Sequence, residues 1–334
     1  MSLDVRVFQP MNRYSLILLL IGCSALSLLI ALSTGSVGSP ADVWNSLTGT
    51  GDATLREIVI DLRLPRALAA FGTGAALALA GAMMQVLLRN PLADPYILGT
   101  SGGAAVAALV GITLGATGLF VNALAFAGAL GSTLLVFTLA QSRTERSSGR
   151  LLLTGVVTAA GWGAAISLLL ALAPERALRG MLFWLMGDFS FVGNPAPILT
   201  VAVVAMFIGV LLAPTLNLLA TGERQAALLG VEVRPVRSGL YFLSSLLTAV
   251  AVTTAGTVGF VGLVIPHLVR LAGDADHRTV MPCSALAGGC LVVIADTLAR
   301  SAVAPLQLPV GAITAVLGVP LFLVLLRRTG AERH

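Results

Sequence analysis

Charged and aromatic residues are scarce in this sequence. Of its 334 residues, 10% are charged and 5% aromatic, and all 20 cations are arginine, with no lysine. A soluble globular domain carries about 25% charged residues, so this composition excludes that class. The three cysteines, Cys23, Cys283 and Cys290, lie in apolar stretches without C-x-x-C spacing, which predicts neither a disulfide framework nor a zinc site.

Sequence signatures of catalysis are also absent. The chain contains no G-x-x-x-x-G-K followed by Ser or Thr and no H-E-x-x-H. Its apolar runs hold no pair of carboxylates, which a membrane hydrolase or a carrier driven by a proton relay would need. We therefore expect no catalytic residue, no metal ligand and no cofactor bound by this chain.

Apolar residues dominate the composition, at 57% of the chain with a mean hydropathy of +0.96. One bilayer crossing needs about 20 apolar residues, so this length accommodates about ten transmembrane helices. We predict an all-α membrane protein, surrounded by lipid, in which residues 1–334 form a single transmembrane domain. The predicted spans cover residues 14–34, 66–88, 97–114, 119–140, 151–173, 198–214, 240–257, 258–271, 281–298 and 310–326.

The arginines indicate how these spans are oriented. The net charge is +5, but most arginines lie in short loops between apolar runs, a pattern typical of membrane topology rather than nucleic-acid binding. With ten spans, one side of the membrane collects 14 arginines and the other 6, whereas the acids divide 8 and 7. Because arginine-rich loops stay in the cytoplasm, we expect both termini to be cytoplasmic.

The longest loop on the arginine-rich side covers residues 215–237 and combines polar residues with a short Ala/Leu stretch. This stretch lies between Gly222 and Gly230, which predicts a short amphipathic helix with a flexible residue at each end. Such a helix suits contact with a soluble partner whose motion it transmits to the spans. The alternative is a helix that lies on the membrane surface.

Charged residues close to the spans form a second candidate site. Asp296 and Arg300 have i,i+4 spacing and are expected to pair on one helix face. Arg63 and Arg66 precede the second span, and with Arg300 they could form an exposed basic cluster on the arginine-poor side. Such a cluster suits docking of an acidic soluble protein, although interfacial arginines also serve simply to anchor helix ends.

A third candidate is the connection Asn90-Pro-Leu-Ala-Asp-Pro95. Two prolines restrict its backbone, which suits a constriction at the inner mouth of a pathway. The alternative is an ordinary turn.

Several of these segments together resemble a known family. The similarity extends from about residue 44 to residue 326 and is strongest in Gly-Phe-Val-Gly-Leu-Val-Ile-Pro-His, residues 259–267. The other matching segments are Arg63-Leu-Pro-Arg66, Gly81-Ala-Met-Met-Gln85, Arg89-Asn-Pro-Leu-Ala-Asp-Pro95 and Leu308-Pro-Val-Gly311. These residues are similar to the FecCD family, the permease subunits of ABC importers for iron-siderophores, haem and vitamin B12.

The resemblance implies a type II ABC importer permease fold of ten helices and a homodimer around a central pathway. It also implies two cytoplasmic ABC ATPase subunits, which bind ATP and Mg, a periplasmic substrate-binding protein, and a place in the bacterial inner membrane. Haem or another iron chelate is the expected cargo, with a corrinoid or a ferric siderophore as the alternative. A more distant alternative is an ion-coupled secondary transporter.

The resemblance further implies roles for individual positions. Docking of the binding protein is implied for Arg63, Arg66 and Arg300. ATPase coupling is implied for Leu218, Gly222, Glu223, Arg224, Ala227, Leu228, Gly230 and Val231. Inner gates are implied at Asn90 and Leu92 and at Ser147, Ser148 and Gly149, and an outer gate from Pro174 onward, within residues 174–187.

Overall fold

The computed structural model describes residues 11–35, 37–140, 148–190, 192–303 and 306–331, and these contain fifteen α-helices and no β-strand. The helices are α1 Arg13–Ser33, α2 Pro40–Leu47, α3 Ala53–Glu57, α4 Leu64–Leu88, α5 Thr100–Thr113, α6 Leu119–Ala140, α7 Ser148–Leu172, α8 Glu175–Met186, α9 Ala196–Leu211, α10 Ala213–Thr221, α11 Glu223–Leu228, α12 Val233–Ala255, α13 Val261–Ala272, α14 His277–Ser301 and α15 Val310–Ala331. A π-helical turn, Ile58–Arg63, joins α3 to α4, and a 3₁₀ turn, Pro95–Leu98, precedes α5.

The helices account for every predicted span. Six continuous helical segments in the described residues are long and apolar enough to cross a membrane. The helices α9 and α10 are together as long and apolar as a span, and they bend by 66° at Leu212 between them. Three shorter apolar helices lie at 100–113, 261–272 and 310–323. The all-α fold with about ten transmembrane helices is therefore confirmed.

Helix α4 lies at the centre of the bundle. Its most apolar stretch is 89% buried, and it packs against α14, α12, α9 and α13. These neighbours approach closely because glycines meet at the crossings: Gly74 lies against Gly288 of α14, and Gly81 against Gly262 of α13. In lipid, helices associate through such close van der Waals contact rather than through exclusion of water.

The peripheral helices are much less covered. The buried share of the most apolar stretch is 22% in α1, 28% in α6 and only 6% in α7. These faces therefore meet lipid or another protein chain, because apolar side chains at this density are unfavourable in water.

Side-chain contacts group the helix termini at two ends of the bundle. At one end, the C-termini of α4 and α6 lie with the N-termini of α7 and α12 and with α11, around a shared cavity. We call this the loop end. At the other, the C-termini of α1 and α14 meet the start of α4 through arginine side chains. We call this the arginine end.

Some helix boundaries differ from the predicted spans. Helix α12 begins at Val233, seven residues before the predicted span, because its first two turns carry arginines that lie outside the apolar run. Helix α13 begins only at Val261, since Phe260 before it has left-handed backbone angles, with φ of 68°. Pro266 lies inside α13.

Candidate functional site

At the arginine end, Arg66 and Asp296 form an ion pair between α4 and α14. Arg66 Nη2 donates to Asp296 Oδ1 at 2.7 Å, and Arg66 Nε lies 3.0 Å from Oδ2. The side chain of Asp296 is 4% exposed and that of Arg66 15% exposed. The predicted partner of Asp296, Arg300, lies farther away, with its Nε 3.9 Å from Oδ2. Arg66 therefore neutralises most of the Asp296 charge.

Arg63 and Arg300 both bind the C-terminus of α1. Arg63 donates to the carbonyl oxygens of Leu32 at 2.8 Å and of residue Val37 at 2.6 Å. Arg300 donates to the carbonyls of Ala31 and Thr34. Cations stabilise a helix C-terminus because they satisfy its unpaired carbonyls and oppose its partial negative charge.

The structure brings the three predicted docking arginines together but corrects their predicted exposure. Arg63 is 8% exposed, and the side chain of Arg300 is 13% exposed. They turn inward because the carbonyls at the end of α1 and of Val37 accept hydrogen bonds that compensate for burying a guanidinium group. Only Arg66 and Arg300 reach the carboxylate of Asp296, so the three arginines together keep an excess of positive charge.

The predicted short helix of the loop end is present as α11, Glu223–Leu228. Gly222 before it has φ of 139° and Gly230 after it has φ of 86°, conformations that glycine adopts at little cost. On α11, Ala226 is buried, whereas Leu228 is 81% exposed and the following Leu229 66% exposed. Helix α11 and the residue that follows it thus present two large apolar side chains away from the bundle.

An ion pair attaches α11 to α12. Arg237 Nη1 lies 2.8 Å from Glu223 Oε1 and donates to Oε2 at 2.9 Å. The two side chains are 16% and 29% exposed.

A second contact, which the sequence did not reveal, attaches α10 to α14. Asn217 Nδ2 donates to Asp276 Oδ1 at 2.8 Å, and Asn217 Oδ1 accepts from the backbone N–H of His277 at 3.0 Å. Burial raises the pKa of Asp276, but hydrogen bonds from the Arg278 N–H and Asn217 outweigh this effect, so its pKa lies below the usual value. The only sequence signal was an Asp immediately before an apolar helix, the common N-cap residue.

The predicted inner-gate segment 90–95 is a tight turn. Asn90 Oδ1 accepts from the Leu92 N–H at 2.9 Å, and the side chain of Leu92 is 40% exposed. Asp94 Oδ1 accepts from the Tyr96 N–H at 2.8 Å. Burial raises the pKa of Asp94 to about 6. The segment therefore ends on a carboxyl group that is only weakly ionised at mildly acidic pH.

The second predicted inner gate lies next to the first. Ser148 and Gly149 are the first residues of α7, and Ser147 lies outside the described residues. Leu151, on the same first turn, belongs to one apolar cluster with residues from the end of α4 and from the 90–98 turn. Members of this cluster include Leu87, Leu88, Ala93 and Leu98.

The predicted outer-gate segment is largely helical. Pro174 is the N-cap of α8, which ends at Met186, and Gly187 follows with φ of 85°. Helix α8 packs against α5 and α15. Thr257 donates to the carbonyl of Leu185, which attaches this segment to the end of α12. None of the gate or docking roles follows from these contacts alone.

A bundle of about ten apolar helices, with a short helix held by an ion pair at one end and an arginine cluster at the other, defines a polytopic membrane protein. Residues 19–328 match the FecCD transport family, and the chain belongs to this family. It is a transmembrane permease of the ABC importer type.

Individual relatives cover nearly the whole chain. The haemin transport system permease protein HmuU of Yersinia pestis is 40% identical over 323 residues, 92% of this chain and 95% of that protein. The vitamin B12 import system permease protein BtuC of Yersinia enterocolitica is 39% identical over 333 residues, 98% of this chain and 96% of that protein. A solved structure, described as an inward-facing conformation of a metal-chelate type ABC transporter, is 31% identical with a TM-score of 0.82. The match covers 95% of this chain and 99% of the chain in that structure.

Proposed function

We propose that this chain is the permease subunit of an ATP-driven importer that moves haem or another iron chelate from the periplasm to the cytoplasm. The similarity to a haemin permease and to a metal-chelate type transporter supports this cargo. A corrinoid is the second candidate, because a vitamin B12 permease is almost equally similar, at 39% identity. Substrate choice in such a system rests largely with the binding protein.

The observation that carries the ATP-driven mechanism is the pair of exposed leucines on and after α11. Leu228 and Leu229 are among the most exposed apolar side chains of the loop end, on a helix held by the Glu223–Arg237 ion pair. Exposed apolar side chains on a rigid support are typical of a protein contact. We assign this surface, residues 215–237, to a cytoplasmic ATPase, with Leu218, Gly222, Glu223, Arg224, Ala227, Leu228, Gly230 and Val231 as coupling residues.

The arginine cluster is the proposed docking site of the periplasmic binding protein. Arg63, Arg66 and Arg300 have only Asp296 as an acidic ion-pair partner in the described residues. The remaining positive charge would attract acidic side chains and speed association. The arginines also fix the ends of α1, α4 and α14, so a docked protein would act on three helices at once.

Helix α7 supports the proposed homodimer. Its apolar stretch is 6% buried, although its start is held beside α4. A second copy of the chain that covers this face would place α7, and the gates at Asn90, Leu92, Ser147, Ser148, Gly149 and Pro174, around a shared pathway.

The proposed orientation places the loop end in the bacterial cytoplasm, because it carries most of the arginines. ATP binding by two ATPase subunits, with Mg, would then move the α10–α11 segment. This motion is passed to α12 through Arg237 and to α14 through Asn217, and it shifts the bundle between outward-open and inward-open states. The permease itself supplies two conformations and no chemical step.

Uptake into proteoliposomes tests this function. The proteoliposomes would contain the chain and its co-expressed ATPase. The cognate binding protein would be loaded in turn with haem, cobalamin and a ferric siderophore. We expect ATP-dependent accumulation of haem or the iron chelate. Accumulation of cobalamin alone would identify a corrinoid as the cargo. Accumulation driven by an ion gradient without an ATPase would favour the secondary transporter.

A further inference from the structure

A cavity of about 250 Å³ lies at the loop end, between the helix ends described above. Two kinds of side chain form its wall. The apolar wall consists of Leu87, Phe137, Ala140, Leu151, Val233 and Tyr241, and the polar wall of Glu223, Arg234, Arg237 and Ser238. A cavity with one apolar and one cationic wall matches an amphipathic anion.

The charges of the polar wall favour an anion. Arg234 and Arg237 against Glu223 leave the described lining with one net positive charge. The two arginines are three residues apart on α12, so their side chains point to the same side of the helix. Arginine binds phosphate through two parallel N–H groups, and the Ser238 hydroxyl offers one more donor.

The start of α12 adds to this potential. No acidic residue occupies its first turn, and the N-cap residue Glu232 makes no side-chain capping hydrogen bond. Glu232 therefore does not cap the backbone N–H groups of Val233 and Arg234, and the helix dipole favours an anion near them; Pro235, the third residue, has no N–H. Arginines at this positive end are unfavourable unless anions compensate for their charge, and Glu223 pairs with Arg237 rather than with Arg234.

The apolar wall indicates where the rest of the ligand lies. Tyr241 does not offer its hydroxyl to the cavity, since this group donates to the Thr133 carbonyl at 2.7 Å. Leu135 and Leu139, next to Ala140 on α6, are 41% and 54% exposed. These leucines face lipid on the side of α6 opposite Phe137, so the hydrocarbon part of the ligand would lie inside the cavity, along its apolar wall.

We propose that this cavity binds an acidic phospholipid, with the phosphate on Arg234 and Arg237 and an acyl chain along Phe137, Ala140 and Leu151. The phosphate competes with Glu223 for Arg237, so occupancy would loosen the ion pair that holds α11. The proposal rests on the placement of the chain in a membrane and needs neither the ATPase nor the cargo. Lipid binding can therefore fail while the importer function holds, and the importer function can fail while lipid binding holds.

Native mass spectrometry of the delipidated full-length chain tests this site. The probes are phosphatidylglycerol, phosphatidylcholine and glycerol 3-phosphate. We expect one phosphatidylglycerol per chain to bind about tenfold more tightly than phosphatidylcholine, a difference of roughly 1.4 kcal/mol. The double variant Arg234→Gln/Arg237→Gln should lose this preference, whereas Arg278→Gln, an exposed arginine at the same end outside the cavity lining, should keep it.

Ala140→Phe provides an independent variant, because it fills the cavity without changing any charge or breaking the Glu223–Arg237 pair. It should also remove the bound phosphatidylglycerol. Equal binding of the two phospholipids, or unchanged binding in both the double variant and Ala140→Phe, would overturn the proposal. Displacement of the lipid by glycerol 3-phosphate at equal concentration would assign the site to a soluble phosphate instead.

Discussion

Arg66 of α4 and Asp296 of α14 form a nearly buried ion pair with an N–O distance of 2.7 Å, between the same two helices that touch at Gly74 and Gly288. Helix α14 begins, at its other end, beside Asn217 of α10. One continuous helix of 25 residues therefore connects the proposed ATPase contact with the proposed docking site. A helix held at both ends is suited to move as a rigid body.

Breaking the Arg66–Asp296 pair should strongly destabilise the protein. In Asp296→Asn, Arg66 and Arg300 lose their shared carboxylate, and removing one partner of a buried pair costs about 3–5 kcal/mol. We expect a large drop in the melting temperature of the detergent-solubilised protein. The apolar double variant Arg66→Met/Asp296→Leu should recover part of the loss, and a melting temperature of Asp296→Asn equal to wild type would contradict a structural role.

Two substitutions of Arg300 separate the structural role of the arginine cluster from its proposed docking role. Arg300→Lys keeps the charge, whereas Arg300→Gln removes it, and both lose part of the contact with the α1 carbonyls. We expect both variants to lose stability by a similar amount. Only Arg300→Gln should slow the association of the binding protein and make the association rate less dependent on salt. Association rates that are equal in the two variants would argue against a docking charge at this position.

Close packing of α4 and α13 predicts that Gly81→Ala is poorly tolerated. A Cβ at Gly81 would overlap the carbonyl of Gly262, so the helices must separate, at a cost of about 1–3 kcal/mol or more. Gly131→Ala in α6 is the matched control, because no atom lies within 4 Å of its Cβ position. Thermal unfolding in detergent should show a lower melting temperature for Gly81→Ala alone; equal values for both variants would refute the close contact.

The sequence predicted the spans well because bilayer thickness fixes both their length and their apolar content. It also predicted α11, since glycines at 222 and 230 bound a stretch of good helix formers. These features depend on residues that are neighbours along the chain.

The sequence predicted the Asp296–Arg300 pair, which is present at 3.9 Å, but it did not predict the closer partners of the charged residues. Local spacing favoured Asp296 with Arg300, whereas the shorter contact is to Arg66, 230 residues away. The inward orientation of Arg63 and the contact of Asn217 with Asp276 also depend on helices that meet only in the folded bundle. Which helices meet is set by packing, and no local pattern in one sequence encodes it.

The proposed ATPase contact predicts a sharp effect at Leu228. Leu228→Asp places a charge in the centre of an apolar contact, and central apolar side chains dominate interface energies. We expect the co-expressed ATPase to be lost on purification while the permease keeps its melting temperature, since Leu228 is 81% exposed. Gln225→Asp, also exposed on α11, is the control and should retain the ATPase; retention by Leu228→Asp would exclude this surface as the contact.

Asp94, in the turn after α4, should make stability depend on pH between about 4 and 6. Burial raises its pKa from 3.8 to about 6, so the folded protein holds this proton more tightly than the unfolded chain does. The free energy of unfolding of the wild type should therefore fall by up to about 3 kcal/mol as pH rises through this range. Above this range it should stay level. Asp94→Asn keeps an acceptor for the Tyr96 N–H and removes the charge.

The measurement is the melting temperature of wild type and Asp94→Asn from pH 4 to 8. We expect the two proteins to be similar near pH 4 and the variant to be more stable at pH 7. Asp61→Asn, an exposed carboxylate at the arginine end, should follow wild type at every pH. A pH-independent difference between wild type and Asp94→Asn would mean that the Asp94 carboxyl group has its ordinary pKa and ionises without cost in the folded protein.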